Sequence, residues 1–324
     1  MAPPVRIVHP PNAADPVRPS RPHLAYAATQ VAFSVVVAGV TYSLWHYVWI
    51  SLLWALLWLP LAHAAGLAAG FSMAARSDPT PERRAGGFGM QFGVWAYECC
   101  ASILLLDLCQ PWRSAFRPRP ADGPARPVAV LCLHGYGCNR AFWLRFQGHL
   151  AEAGYESDAI NLAPLLGGID GYADEIAAAV ERLASRTRRP VVLLGHSMGG
   201  IAARACLRAH PTLPVLHTIT LGSPHLGTLH ARLGIGDNVA QMAVGSEWLA
   251  ELGRSETEAA RSRLTSIYSY HDNVVYPART CALVGAHMIP LSALGHVALG
   301  THPRSCAIVL QTLERVGTGI ARVA

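Results

Sequence analysis

Hydrophobic and polar positions divide the chain into two unlike parts. From residue 22 to residue 75 there is no Asp, Glu, Lys or Arg, and aromatic residues crowd the middle at Trp45, Tyr47 and Trp49. One helix of that length would be roughly 80 Å long, against a hydrocarbon core of about 30 Å. Two spans joined by a short turn fit instead, and the 45–49 cluster suits a turn at the membrane–water interface. The expected helices are 24–44 and 49–73, with Pro60 as a kink in the second. A single span is the other arrangement the pattern allows; a cleaved signal peptide would need a much shorter apolar core.

The rest of the chain alternates short apolar runs with amphipathic stretches. Strands are expected near 127–133, 155–161, 190–195, 215–221, 264–270 and 281–289, and helices near 140–153, 170–186, 198–210 and 303–314. That alternation predicts an α/β domain whose mostly parallel sheet is flanked by helices on both faces. A longer insertion, 228–263, contains the apolar, partly helical stretch 239–252. Between the two parts lies 88–109, apolar but carrying Glu98 and Asp107. Each carboxylate would cost about 2.5–3.5 kcal/mol inside a bilayer. A helix lying on the membrane surface or on the C-terminal domain is therefore expected, rather than a third span. The organisation read from this pattern is a disordered tail (1–22), a transmembrane hairpin (23–75), an amphipathic helix with a Pro-rich linker (76–126), and the α/β domain (127–324).

Composition adds limits. The 324 residues allow one domain of about 200 residues plus an appendage. All 26 basic residues are arginine, and with the heavy Ala, Gly and Pro usage this points to a GC-rich bacterial genome. The net charge of +6 is modest and no basic stretch is interleaved with stacking aromatics, so nucleic-acid binding is not expected. Arg6, Arg18 and Arg21 precede the hairpin, and Arg76, Arg83 and Arg84 follow it. Positive flanks on both sides place both ends, and the α/β domain, in the cytoplasm at a bacterial inner membrane. The 8 cysteines form no C-x-x-C pair and no metal-ligand spacing. Reduced, mostly buried thiols are expected, with no metal site and no cofactor.

Candidate chemistry centres on 195–199, Gly-His-Ser-Met-Gly, which follows the apolar run 190–194 and opens a helix-compatible stretch. In that context G-x-S-x-G places a serine at the tip of a tight strand-to-helix turn, where the residues two positions away on either side must be small. A serine hydroxyl needs a base to take its proton and a carboxylate to orient that base. His296, on a short loop between the last apolar run and the C-terminal helix, is the expected base. His210, His217 and His230 fall on or beside helices or within a strand. Of the carboxylates between Ser197 and His296, only Asp272 closely follows a β-type run, so it is the expected acid. Donors for a developing oxyanion are expected from the backbone of Met198 and of Tyr136, the latter in the loop after strand 128–133.

These residues resemble the α/β-hydrolase fold and, within it, bacterial triacylglycerol-lipase-like esterases. The resemblance rests on 133–137 (Leu-His-Gly-Tyr-Gly), 194–201, 220–228 (with Gly-Ser-Pro-His), 268–277 (with His-Asp-Asn-Val-Val-Tyr-Pro) and Gly295-His296. It implies Ser197, Asp272 and His296 as a catalytic triad, Tyr136 and Met198 at the oxyanion hole, and His225 in the substrate pocket. In such enzymes the insertion caps the pocket, so Met242, Trp248 and Leu249 either touch an acyl chain or pack plainly on the sheet. The apolar N-terminal third is similar in composition to membrane-anchored esterases of proteobacteria. The implied activity is a membrane-anchored serine hydrolase of carboxylic esters, lipid esters included, with the bilayer as its partner. An acyltransferase or thioesterase using the same residues remains open, as does a silent membrane scaffold.

Overall fold

The computed structural model describes residues 20–321. The tail expectation therefore falls almost wholly outside the described residues, as do Arg6 and Arg18. Helices α1 (Arg21–Trp45) and α2 (Val48–Ser77) form an antiparallel pair. They turn at His46, whose φ of 55° ends α1 in the left-handed region, inside the aromatic cluster. Midway along the pair, the Trp58 indole N–H donates to Ser34 Oγ at 2.6 Å and Phe33 packs on Trp58. After the one-turn helix α3 (Pro81–Arg84) comes α4 (Gly87–Ser102), which continues through a π-helical turn to Cys109.

Among the described residues, three helical segments are long and apolar enough to cross a membrane: Arg21–Trp45, Val48–Ser77 and Gly87–Cys109. The third is more deeply buried than the others and packs on the sheet domain. Tyr97 packs against His302, Leu105 enters the core, and Glu98 is fully buried. The Trp95 indole donates to the Ala64 carbonyl, fastening α4 to α2. The Pro-rich segment that follows runs along the domain. Gln110 is bonded to Asn139, Asp122 to Ala151, and Arg126 to Ala153.

The sheet has six strands: β1 (Ala129–Leu133), β2 (Ser157–Ile160), β3 (Val191–His196), β4 (Val215–Leu221), β5 (Leu264–Ser269) and β6 (His287–Leu291). Their order is β2-β1-β3-β4-β5-β6, and every pairing is parallel. Helix α5 (Leu144–Glu152) follows β1, α6 (Ala173–Thr187) follows β2, and α7 (Met198–Ala209) follows β3. Strand residues alternate between two cores, as side chains on a pleated strand must. Leu131, Leu133 and Leu193 face a core built with α6 and α7, while Val130, Cys132 and Leu194 face one built with α5 and the C-terminal helices. Burial on both faces explains why these strands read as continuous apolar runs.

The insertion after β4 holds a 3₁₀ turn at Leu229–Leu233 and the short helices α8 (Asp237–Gln241), α9 (Glu247–Ser255) and α10 (Glu258–Ser262). The last strand lies later than the pattern predicts. Ala278–Cys281 closes a 3₁₀ turn, and only 287–291 reaches the sheet edge, where Pro290 is tolerated because β6 pairs on one side only. The described residues close with α11 (Ala298–Thr301) and α12 (Pro303–Ala321).

Candidate active site

Ser197 sits between β3 and α7 at φ 54°, ψ −124°, a strained conformation for a residue with a side chain. The crowding around it explains its glycines. A Cβ at Gly195 would lie 2.4 Å from Gly200 N, and one at Gly199 would lie 2.3 Å from the Leu133 carbonyl oxygen. Neither neighbour is a side chain that could move aside. The Ser197 N–H donates to the Leu221 carbonyl at 2.9 Å, which ties the turn to β4.

Asp272 lies three residues beyond β5 and is fully buried. Its Oδ1 accepts from the N–H groups of Val274 and Val275 at 2.8 and 2.7 Å, which leaves Oδ2 for the His296 Nδ1–H at 2.7 Å. The Asp272 carbonyl accepts in turn from the buried Arg83 guanidinium at 3.0 Å, and the Asp78 carboxylate takes the N–H of Ala278 at 2.7 Å. The far end of the acid loop is thus held from the N-terminal helices.

His296 lies between β6 and α11. Its N–H donates to Asn273 Oδ1 at 3.0 Å, and its carbonyl accepts from His196 Nε2 at 2.9 Å. The next two amides, of Val297 and Ala298, donate to Glu98 Oε1 and Oε2 at 2.7 and 3.0 Å. Burial pulls the His296 imidazole downward, but the charge of Asp272, the bond to it and the charge of Glu98 outweigh that, and its pKa is raised above 6.5. His196 goes the other way: burial, then the neighbouring His296, hold it well below the usual range. Its ring stacks on Phe142 and is a neutral donor through Nε2. His134 is likewise pushed down by burial, to about 4. That suits a neutral ring whose Nδ1–H donates to the Gly135 carbonyl while Nε2 accepts from Leu162.

Ser197 and His296 line one cavity of about 550 Å³, and Tyr136 lines it too. Met198, the first residue of α7, buries its side chain in the core and sits where a helix leaves its N–H groups without intrahelical partners. The cavity wall is largely apolar, with Val239 and Met242 from the insertion. Its other wall comes from the N-terminal helices: His63 and Leu67 of α2, and Glu98 of α4 with Leu106 beyond it.

Three expected pocket residues lie elsewhere. His225 is fully buried beneath the sheet edge, with Thr220 on one ring nitrogen, Arg204 near the other, and Arg204 also on its carbonyl. It is absent from the cavity wall, and its place is a structural one. Trp248 points its indole N–H at Asp170 at 2.7 Å, and Leu249 packs in the core against α7. Of the insertion residues named from sequence, only Met242 reaches the cavity. Sequence reasoning missed the residues that hold the loops: Asn273, His196, Asp78, Arg83 and Glu98. For Glu98 a signal existed, a lone carboxylate in an apolar stretch, which is a functional pointer whenever it finds a buried partner.

No metal-type cluster of His, Cys, Asp or Glu occurs among the described residues. Solved structures similar to this chain include a lipase of Bacillus licheniformis in its mature form, at 18% identity and TM-score 0.54 over 61% of this chain and 97% of the lipase. Aspergillus fumigatus lipase B is similar at 18% identity and TM-score 0.53, over 63% of this chain and 55% of its own. At such identities the likeness is one of fold. No curated protein matches by sequence. The sequence profile of the alpha/beta hydrolase family matches residues 130–316, the span that holds the sheet, the strained Ser197 turn and the Asp272–His296 pair, and the chain belongs to that family.

Proposed function

We propose that the protein is a membrane-anchored serine hydrolase that cleaves carboxylic esters of lipid type through an acyl-enzyme on Ser197. The observation that carries this reading is the buried 2.7 Å bond from His296 to Asp272, beside Ser197 on an apolar cavity. His296 takes the Ser197 hydroxyl proton as Oγ attacks the ester carbonyl carbon, and Asp272 holds the imidazole and its charge. The backbone N–H groups of Tyr136 and Met198 receive the oxyanion. The leaving alkoxide takes the proton from His296. Water then attacks the acyl-enzyme, with His296 again as base, and releases the carboxylic acid. This chemistry needs no metal or organic cofactor.

The same reading makes α1 and α2 the membrane anchor. At about 1.5 Å per residue each helix exceeds the roughly 30 Å of a hydrocarbon core. Arg21 before the hairpin, with Arg76 and Arg84 after it, supports a reading in which both ends and the hydrolase domain face the cytoplasm at a bacterial inner membrane. The hairpin meets the domain at its base, where His23 bonds the Gly137 carbonyl and a Cβ at Gly70 would lie 3.2 Å from the Asn273 carbonyl oxygen. A cavity walled partly by anchor helices suits an ester that resides in the bilayer. Similarity in fold to bacterial and fungal lipases supports the ester class.

The test is hydrolysis of p-nitrophenyl esters of increasing acyl length by detergent-purified protein and by Ser197→Ala. Turnover that disappears in the variant, with an optimum beyond the shortest chains, supports the proposal. Background rates in both proteins would reject it and favour transfer to an acceptor other than water.

A further inference from the structure

We infer that Glu98, far from the catalytic loops in sequence and carried on α4, is a positioning residue for His296, fixing both the place and the basicity of its imidazole. The inference rests on the serine mechanism proposed above. Glu98 is fully buried, and its carboxylate spans the peptide immediately after the histidine, one oxygen on Val297 N–H and the other on Ala298 N–H. Each adjacent amide donor has its own carboxylate oxygen here, whereas a glutamine in the same pose would turn its NH2 towards one of the two donors. The approach is close enough to dictate sequence on the other side. A Cβ at residue 295 would lie 2.3 Å from Glu98 Oε2, so only Gly295 admits the carboxylate.

The grip is part of a complete one. Asn273 takes the His296 N–H, His196 donates to its carbonyl, Asp272 orients its ring, and Glu98 holds the next two amides. Among the described residues no arginine pairs with Glu98; Arg83 is spent on the Asp272 carbonyl and on Asp78. A buried carboxylate without a cation is expensive to keep. Its compensation is the pair of amide bonds and the imidazolium that forms on His296 during turnover. The titratable groups facing this centre are Asp272 and His296 themselves, His196 from β3, His230 from the insertion, and His63 of α2, which bonds Ser102 one turn from Glu98. Within that set, Asp272 is the standing negative charge that favours the protonated imidazole, and Glu98, its own pKa pushed up by burial to about 7, adds its charge as it ionises.

The test uses full-length protein in detergent, with Glu98→Gln and Glu98→Asp compared with wild type and Ser197→Ala. Glu98→Gln removes the charge and turns an N–H towards an N–H. It should lower kcat by about 100-fold, as misplacement of a base does, leave KM within about twofold, and move the acid limb of the kcat/KM profile to lower pH. Glu98→Asp keeps the charge but withdraws it by one methylene, so kcat should fall while the acid limb stays. Wild-type kcat and an unmoved acid limb in Glu98→Gln would overturn the proposal. If that variant does not fold, wild-type kcat in Glu98→Asp would do so. Activity surviving in Ser197→Ala would instead reject the serine mechanism itself. A silent Ser197→Ala beside an unaffected Glu98→Gln would reject the positioning role alone.

Discussion

The turn that carries Ser197 and the loops that carry Asp272 and His296 are held in opposite ways. Around the serine, the turn is shaped by glycines within three residues, Gly195, Gly199 and Gly200, set against backbone of the sheet itself: Gly199 against the end of β1 at Leu133, and the Ser197 N–H on the end of β4 at Leu221. The acid and histidine loops are held from about two hundred residues away, by Asp78 and Arg83 for one and Glu98 for the other. A strained turn can be specified by local sterics, because removing a Cβ removes a clash. A loop that must present a ring and a carboxylate to each other needs its amides and carbonyls satisfied from outside, and in a buried site only other protein groups can do it. The N-terminal helices thus join the hydrolase domain at its most sensitive loops, as well as projecting from it.

The comparison can be broken at either end. The largest expected effect is Ser197→Ala, a loss of about 10⁴-fold or more in kcat with an unchanged melting temperature. Activity above that floor would remove the serine from the chemistry. Arg83→Met comes next. It deletes the bond to the Asp272 carbonyl from a buried site and should lower stability by about 1–3 kcal/mol in denaturant titration, with kcat falling as well. If the acid loop were self-supporting like the serine turn, neither quantity would move.

Two pH experiments sharpen the contrast. His296 must be neutral to act as base, and its pKa is raised, so kcat/KM should rise with pH through an apparent pKa above 6.5. An acid limb below 6.5 would contradict the charge arrangement around it. Stability should respond with the opposite group. His134 is held at about 4 by burial and His217 also at about 4, so the unfolded chain binds protons that the folded chain refuses between about 6.5 and 4. The stability contributed by these two neutral imidazoles is therefore complete above 6.5 and is lost as pH falls through that window. A melting temperature that stays flat from pH 7 to pH 4 would rule this out.

The smallest effects separate the insertion residues. Met242→Trp should shorten the preferred acyl chain in the p-nitrophenyl series, because Met242 lines the cavity. Trp248→Phe should leave chain preference alone and lose only the exposed bond to Asp170, within about 1 kcal/mol. A change of chain preference in Trp248→Phe would return that side chain to the pocket.

Much of the fold was legible because its signals are periodic or local. The parallel sheet followed from runs buried on both faces, and β1 to β5 lie within a few residues of their expected positions. The hairpin turn fell inside the 45–49 aromatic cluster, at His46 and Tyr47. The displacement of the edge strand from the expected 281–289 had a physical cause: β6 is largely exposed and carries Pro290, so it has neither the apolar run nor the alternation of an inner strand. His225 misled because a histidine at a strand end beside Gly-Ser-Pro resembles a pocket residue. Its actual partners, Thr220 below and Arg204 from α7, lie on separate elements.

By itself the sequence determined the two-part organisation, the sheet class, the strained serine turn and the residue types its chemistry would need. Each of these depends on spacing along the chain, through side-chain period, glycine sterics or apolar length. Only the tertiary structure decided that α4 lies on the domain, that Met242 and not Trp248 reaches the cavity, and that Asp78, Arg83 and Glu98 hold the Asp272 and His296 loops. Those depend on which buried amide or carbonyl meets which distant side chain. Such pairings have no period in the sequence, because they are set by where packing leaves a polar group without water.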